Sequence, residues 1–372
     1  MNGSQHPVRL ISVVVAVLAV GLALAGCAKP AGPATGEASA SATPSPTPTQ
    51  AAIPQSELPL DCNALEDAAS VAAHYRADTV GVSVDQKSTA RGFAFRAFQQ
   101  GGGLHCVWGG SGRTDGGYDV GIELFVLTDA ASGYATYSAG AGPSVDWVTD
   151  RYGDHSRSFC TVYEEYVQCY GDVLIGTSWL DFRLTDDHHV MTLDQAYTWE
   201  DEQVRPAVAA ISGAGAPRPA WVPPSSAFDT SKLCDAATAS AIAGATVTVA
   251  NDPPDASGYP VSVGMDRAAI TQCTWTSTAV DANVRIFGLK GGAWALPGMT
   301  ANLAETPGIL GGAAQPVTIA GADGAFVADG ELAWGAVVSH GSLIEVFRDS
   351  SQVGHDDVPL MTRIVAYIDA HS

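Results

Sequence analysis

The residue types best suited to metal chemistry stand in one short run, Asp186-Asp187-His188-His189. Carboxylates and imidazoles are common ligands of divalent cations, so the run suggests a metal site. Consecutive residues diverge on a helix or a strand, however, and four in a row seldom converge on one ion. We therefore interpret the run as a solvated loop after a strand over residues 179–184, with a metal site as the alternative.

Two adjacent pairs of acids, Glu164-Glu165 and Glu200-Asp201, resemble the paired carboxylates that hydrolyse glycosidic bonds. We expect the first pair on a turn and the second at a helix start, where acids are ordinarily solvated. The sequence has neither the Gly-x-Ser-x-Gly turn of serine hydrolases nor the Gly-x-x-x-x-Gly-Lys-Ser/Thr phosphate loop. It therefore predicts no enzyme, no catalytic residue and no cofactor.

One of the seven cysteines, Cys27, directly ends an apolar run over residues 10–25. This run has the length of a signal-peptide core and is short for a membrane-spanning helix. Its end, Leu24-Ala25-Gly26-Cys27, resembles the bacterial lipobox, which implies a diacylglycerol and palmitate-type anchor on Cys27. We expect residues 1–26 to be a signal peptide, and Cys27 to hold the protein on the extracytoplasmic face of the cell membrane.

The rest of the chain divides by composition and charge. Residues 27–58 are rich in Ala, Ser, Thr and Pro, which predicts a disordered tether behind the lipidated cysteine. Residues 213–227 are rich in Pro and Gly, which predicts a linker between domains at 59–212 and 228–372. The net charge of −21 predicts a surface that repels polyanions, so we expect no nucleic-acid partner.

The two domains repeat one pattern of cysteines, tryptophans and hairpins. Each begins with a cysteine before an Ala-rich helical pattern, later has a Cys-x-Trp strand, and ends in an amphipathic helical pattern with acids in its first turn. Residues 160–169 and 325–334 both predict a tight hairpin, at an offset of 165 (325 − 160) that Phe182/Phe347 and Arg183/Arg348 keep. We interpret the domains as a diverged tandem duplication, which places Ala325 opposite Trp334.

The duplication also selects one disulfide pattern. Residues i and i+2 of a strand face the same side, so each Cys-x-Trp strand places its cysteine and tryptophan together in a core. Six cysteines remain after Cys27 and allow 15 pairings. Keeping every bond within its own domain predicts the bonds Cys62–Cys106, Cys160–Cys169 and Cys234–Cys273.

Strands outnumber helices in this reading, and hairpin-length turns join neighbouring strands. This predicts the α+β class, with two related domains that each have a mostly antiparallel sheet and N- and C-terminal helices on one face. The pattern of Cys62, Cys106 and Trp108, repeated at Cys234, Cys273 and Trp275, is similar to actinobacterial lipoproteins of unknown function. It also resembles the extracellular sensor domains of some mycobacterial receptor kinases.

The resemblance implies a small α+β domain outside the membrane with a binding or sensing role, and it supplies no catalytic residues. We therefore expect a lipoprotein that binds an unidentified envelope ligand or protein, in a cleft between the domains or on a concave sheet face. One alternative is a cell-envelope hydrolase or metal-dependent enzyme that uses the Asp186 to His189 run. Another alternative is an envelope scaffold or assembly subunit.

Overall fold

Two antiparallel sheets with helices against both faces make up the described part of the chain. The computed structural model describes residues 52–66, 71, 92–108, 121–140, 147–153, 155–187, 189–252, 259–277, 283–305, 314–328, 334–348 and 356–372. Cys27, most of the expected tether and His188 lie outside these residues. Residues Thr49–Ser372 form one compact unit.

The first sheet has six strands in the order β1-β2-β6-β5-β4-β3, all antiparallel. The strands are β1 (Leu104–Trp108), β2 (Gly121–Leu127), β3 (Val148–Thr149), β4 (Ser156–Val162), β5 (Val167–Ile175) and β6 (Ser178–Asp186). A two-residue turn, Gly176-Thr177, joins β5 to β6, and the positive φ of Gly176 (61°) suits a residue without a Cβ.

The second sheet has seven strands in the order β7-β8-β9-β13-β12-β11-β10. The strands are β7 (Thr248–Asn251), β8 (Thr271–Thr276), β9 (Val284–Leu289), β10 (Ala314–Pro316), β11 (Gly324–Ala328), β12 (Trp334–Ser339) and β13 (Ser342–Arg348). Apart from the edge strand β7, each strand matches one of the first sheet in order: β8 matches β1, β9 matches β2 and β13 matches β6. This shared order is what a tandem duplication predicts.

The described helices lie on both faces of the sheets. They are α1 (Cys62–Leu65), α2 (Gly92–Gln100), α3 (Ala131–Gly140), α4 (Leu193–Ser212), α5 (Ala236–Ala243), α6 (Pro260–Arg267), α7 (Leu296–Glu305) and α8 (Val358–His371). A capping box between Thr192 and Gln195 begins α4, so this helix starts well before Glu200. The expectation that Glu200 and Asp201 occupy its first turn is therefore wrong.

The N- and C-terminal helices of each half share the outer face of its sheet, which confirms the α+β class. Helices α1 and α4 cover the first sheet, and α5 and α8 cover the second. Cys106 and Trp108 are buried together under the first pair, and Cys273 and Trp275 under the second. Each Cys-x-Trp strand therefore contributes both of these side chains to one core, as a strand's two-residue period requires.

Three disulfides join the cysteine pairs expected from the sequence. Cys62–Cys106 and Cys234–Cys273 connect the first helical segment of each half to its Cys-x-Trp strand, across separations of 44 and 39 residues. Cys160–Cys169 joins β4 to β5 across 9 residues. On chain-entropy reasoning the two long loops stabilise the fold by about 4 kcal/mol each, and the short one by about 2.5 kcal/mol.

The strand pairing in the second sheet does not follow the constant offset of 165 residues that the sequence predicted. Ala325 pairs with Val337, whereas Trp334 pairs with Ala328 and Phe347, so the expected Ala325–Trp334 pair is wrong. The turn after β5 begins at residue 176 and the turn after β12 begins at residue 340, which gives an offset of 164 (340 − 176).

A shift of one residue exchanges the two faces of a strand. Phe182 therefore corresponds to Val346, and both belong to cores under the outer helices. Phe347 instead packs on the inner face, and Arg183 corresponds to Phe347 and not to Arg348. The centre of the hairpin expected over residues 325–334 lies outside the described residues.

Helices α2 and α6 lie against each other between the inner faces of the two sheets. Helix α2 contributes Phe95 and Phe98 to the core on the first sheet, and Phe93 and Ala97 to the core on the second. Helix α6 likewise contacts both cores, although it belongs to the second half of the chain. The sequence predicted helices on one face of each sheet, so these two helices were not expected.

Candidate functional site

A row of five side chains crosses the inner face of the first sheet, one from each of five strands. The paired positions are His105, Phe125, Asp181, Asp172 and Arg157, on β1, β2, β6, β5 and β4 respectively. Directly paired residues point to the same face, so these side chains are neighbours. The row places two carboxyl groups next to each other in the interior.

The two carboxyl groups in this row have different environments. Asp172 accepts hydrogen bonds from Trp179 Nε1 at 3.0 Å and from Arg157 Nε at 3.2 Å. Asp181 is only 4% exposed and is hydrogen-bonded to Asp172. Burial, followed by the charge of Asp172, raises the pKa of Asp181 well above its usual value. Burial also raises the pKa of Asp172, but the hydrogen bond from Trp179 and the charge of Arg157 oppose this shift. Asp181 is therefore the member of the pair that binds a proton more readily.

One oxygen of the Asp181 carboxyl group is unsatisfied. Within the described residues, Asp181 Oδ1 is buried and has no hydrogen-bond partner. Buried polar atoms are usually hydrogen-bonded, and leaving one without a partner costs about 1–3 kcal/mol. The carboxyl group of Asp181 therefore retains unused hydrogen-bonding capacity.

Nearby charges form pairs beside the two acids. Arg183 Nη1 lies 4.0 Å from Glu123 Oε2, and its guanidinium group lies 5.5 Å from the centre of the Tyr259 ring. His105 Nε2 lies 2.9 Å from Glu123 Oε1. Arg183 and Glu123 thus neutralise each other, as Arg157 and Asp172 do. The neutral, protonated Asp181 lies between these two pairs.

A cavity of about 280 Å³ lies between the sheets, beside α2 and α6. Asp181 and Arg183 supply charged groups to its lining, and most of the remaining lining is apolar. Its aromatic walls are Phe95 and Phe125 from the first half and Phe287 from the second, with Tyr259 also lining it. An apolar cavity with a few convergent polar groups is the usual form of a small-molecule site.

The second sheet carries an acid at the matching position. Phe287 pairs with Glu345 as Phe125 pairs with Asp181. Glu345 accepts a hydrogen bond from Trp334 Nε1 at 3.2 Å, and burial raises its pKa to about 8. Ala336 pairs with Glu345 where Asp172 pairs with Asp181, so this acid has no neighbouring carboxyl group in its row. Glu345 does not line the cavity.

The run first considered for metal binding begins at the end of a strand and continues into a loop. Asp186 ends β6 and is completely buried, which differs from the expected solvated loop, whereas His189 is exposed in the loop before α4. His189 Nδ1 lies 2.7 Å from Asp186 Oδ2. His188 lies outside the described residues. In the part of the chain that the structure describes, the only group of three close ligand atoms belongs to Cys160, Cys169 and Glu200. Its two sulfur atoms are bonded to each other, so they cannot act as thiolate ligands.

The expectation that Glu200 is solvated is wrong as well. Glu200 is completely buried in α4, where Tyr152 Oη donates a hydrogen bond to it at 2.5 Å. Burial raises the pKa of Glu200. Its neighbour Asp201 pairs with Arg151 Nε at 2.8 Å, so these groups tie the loop before β4 to α4. Glu164 and Glu165 are exposed on the hairpin turn, as expected.

Asp172 and Asp181 were not among the site residues expected from the sequence. Each is an isolated acid within an apolar strand, in Gly171-Asp172-Val173 and Leu180-Asp181-Phe182. An acid flanked by core residues on a strand must lie on the opposite face, where no helix was expected. Helices α2 and α6 cover that face and bury both acids.

The fold and the cavity define a class of protein: two α+β halves of shared strand order, with a buried acid beside a cavity between their sheets. No protein-family model, curated protein or solved structure matches this chain. None of the described helices is both long enough and apolar enough to cross a membrane. The function is therefore argued from the site itself.

Proposed function

We propose that this chain is a lipid-anchored, extracytoplasmic binding or sensing protein that holds a small ligand in the cavity between its sheets. The observation that carries the proposal is Asp181, a buried acid that lines a largely apolar cavity and whose Oδ1 has no hydrogen-bond partner among the described residues. Aromatic rings would bury the ligand body, and the acid would orient one polar group of the ligand. A signal of binding could pass through α2 and α6, because both contact each sheet.

The location is proposed from the sequence, and the disulfides are consistent with it. The lipobox-like Leu24 to Cys27 stretch supports an anchor in the lipid bilayer, on the outer face of the cell membrane. Three disulfides are typical of proteins from oxidising compartments. Both oxygens of Asp172 accept hydrogen bonds from protein side chains, so we propose a positioning role for this acid and no catalytic one.

The test is to fill the cavity and measure ligand binding. Ala94 lines the cavity, so Ala94→Trp should occupy it, whereas Ala135→Trp places the same side chain on the exposed face of α3. The probes are 2-phenylethylamine, 2-phenylethanol and phenylacetate, observed by saturation-transfer NMR. We expect the wild-type protein and Ala135→Trp to bind at least one probe, and Ala94→Trp to bind none.

Two results would contradict the proposal. The first is that no probe binds the wild-type protein, and the second is that a folded Ala94→Trp protein binds as the wild type does. Circular dichroism in the near ultraviolet establishes that each variant is folded.

A further inference from the structure

The cavity joins an acid to aromatic rings, and this combination favours one class of ligand. We propose that the ligand is a small organic amine, bound as its ammonium ion to Asp181 with its apolar part among the phenylalanine rings. This inference rests on the proposed function, because it concerns the same cavity. Binding would release the proton that Asp181 holds in the empty protein.

The first argument is the hydrogen-bonding state of Asp181. Asp181 lines the cavity, is hydrogen-bonded to Asp172, and has one oxygen, Oδ1, without a hydrogen-bond partner within the described residues. A ligand that bonds to a carboxylate oxygen of Asp181 must donate a hydrogen bond. An ammonium group donates up to three, and a hydrogen bond between charged groups is roughly twice as strong as one between neutral groups.

The second argument is the charge balance around Asp181. The groups that face it are Asp172 from β5, Glu123 from β2 and Arg183 from β6, with Arg157 and Tyr259 next to these. Arg157 neutralises Asp172, and Arg183 neutralises Glu123. Replacing the proton of Asp181 by an ammonium ion keeps the total charge unchanged. An anionic ligand would add a negative charge beside two acids.

The third argument is the aromatic wall. Phe95 and Phe125 have ring centres 5.5 Å apart, and Phe287 lines the cavity from the second sheet. The faces of aromatic rings attract cations, and this attraction increases where water is excluded. The net charge of −21 also concentrates cations near the protein surface.

The exchange is balanced in atoms and charge. The ammonium ion enters, the Asp181 carboxylic acid becomes a carboxylate, and one proton leaves to solvent. No covalent bond to the ligand forms or breaks, and no other reactant is needed. The cavity would therefore act as a site where an amine and a proton compete, so that a lower pH weakens amine binding.

The experiment is isothermal titration calorimetry of the full chain with 2-phenylethylamine at pH 7, in phosphate and in MOPS. These buffers differ in ionisation enthalpy, so the difference in heat counts the protons released. We expect about one proton released per amine bound. The neutral analogue 2-phenylethanol has the same ring and chain length, and we expect it to bind more weakly and to release no proton.

Asp181→Asn keeps the size of the side chain but cannot ionise. We expect this variant to bind the amine roughly thirtyfold more weakly, without proton release, while its affinity for 2-phenylethanol changes little. Glu345→Gln removes the matching acid of the second sheet, which does not line the cavity, and should bind the amine as the wild type does. Retained binding of 2-phenylethanol shows that the Asp181→Asn cavity is intact.

The outcomes separate the two proposals. If the alcohol binds as tightly as the amine, or if no proton is released, the amine inference is wrong and the cavity remains a binding site. If Asp181→Asn binds the amine normally, the inference is wrong as well. If neither probe nor phenylacetate binds the wild-type protein, the proposed function fails.

Discussion

A carboxyl group in the interior of a sheet must be paired or protonated, because an isolated charge there is costly. Both sheets carry such an acid on the inner face, Asp181 in the first and Glu345 in the second. Asp181 shares its row with Asp172 and Arg157, whereas Glu345 has only the indole of Trp334 as a recorded partner among the described residues. The second acid is therefore the simpler one to test for its effect on stability.

Glu345→Gln should remove the free-energy cost of ionising a buried acid, which the folded wild-type protein bears as the pH rises. The pKa of Glu345 is about 8 in the folded protein and near 4.5 when unfolded, so between these values only the folded state holds the proton. The wild-type free energy of unfolding should therefore fall as the pH rises through this window. The contribution of this residue is on the order of 3 kcal/mol from pH 5 to pH 8.

Urea unfolding of the wild type and Glu345→Gln at pH 5, 6.5 and 8 measures this contribution. Glutamine retains an oxygen that can accept the bond from Trp334, so the variant should be the more stable protein at pH 8 and should lose less stability with rising pH. Asp181 is present in both proteins and does not affect the comparison. Equal pH dependence in the two proteins would show that Glu345 is not protonated in the fold.

At the scale of elements, the crossing of α2 and α6 sets the distance between the sheets. The helices approach closely because Gly264 has no side chain: a Cβ there would lie 2.5 Å from Phe98 Cδ2. Phe98 is completely buried against the first sheet and cannot move away easily. The two helices also line the cavity, so their separation determines its width.

Gly264→Ala should therefore destabilise the protein by about 1–3 kcal/mol, through overpacking at the crossing. Alanine has a higher helix propensity than glycine, which by itself would stabilise α6. A net loss of stability would therefore have to come from overpacking. Gly215→Ala is the matched control, since its nearest neighbour, Pro59 Cγ, would lie 3.9 Å from the new Cβ. The measurement is thermal and urea unfolding. If Gly264→Ala is as stable as Gly215→Ala, then the close approach of α2 and α6 does not depend on the missing side chain at residue 264.

At the scale of the whole molecule, one helix of each half packs against both sheets. Helix α2 precedes the first sheet in the chain and also supplies Phe93 and Ala97 to the second, and α6 lies between β7 and β8 of the second sheet and also supplies Val261 and Val263 to the first. The inner core of each half is thus completed by residues of the other. This explains why Thr49–Ser372 is a single compact unit although its topology is duplicated.

The proposed membrane anchor also concerns the whole chain. If Cys27 is the lipidated residue, Cys27→Ser should prevent lipid attachment, because serine lacks the thiol that would carry the diacylglycerol. We expect the wild-type protein, expressed in a lipoprotein-processing bacterium fed radiolabelled palmitate, to be labelled and to sediment with membranes. The variant should be unlabelled. Cys62→Ser is the control, because it removes a cysteine that belongs to a disulfide and should still be labelled. If Cys27→Ser is labelled, Cys27 is not the lipid anchor.

Local patterns in the sequence were enough to predict the α+β class, the three disulfide pairs and the burial of both Cys-x-Trp strands. These features depend on the two-residue period of a strand and on a pattern that occurs twice, both of which can be read directly from the residues. The Cys160–Cys169 pair also followed from its two-residue turn, because a turn of that length determines which residues face each other.

Tertiary structure alone decided the register of the second hairpin, the burial of Asp172, Asp181 and Glu200, and the cavity. A one-residue difference in offset reverses the faces of a strand, and the positions of the turns decide that offset. An acid on a strand is solvated or buried according to what covers its face. Here that cover is α2 and α6, which come from different halves of the chain and meet only when both sheets have formed.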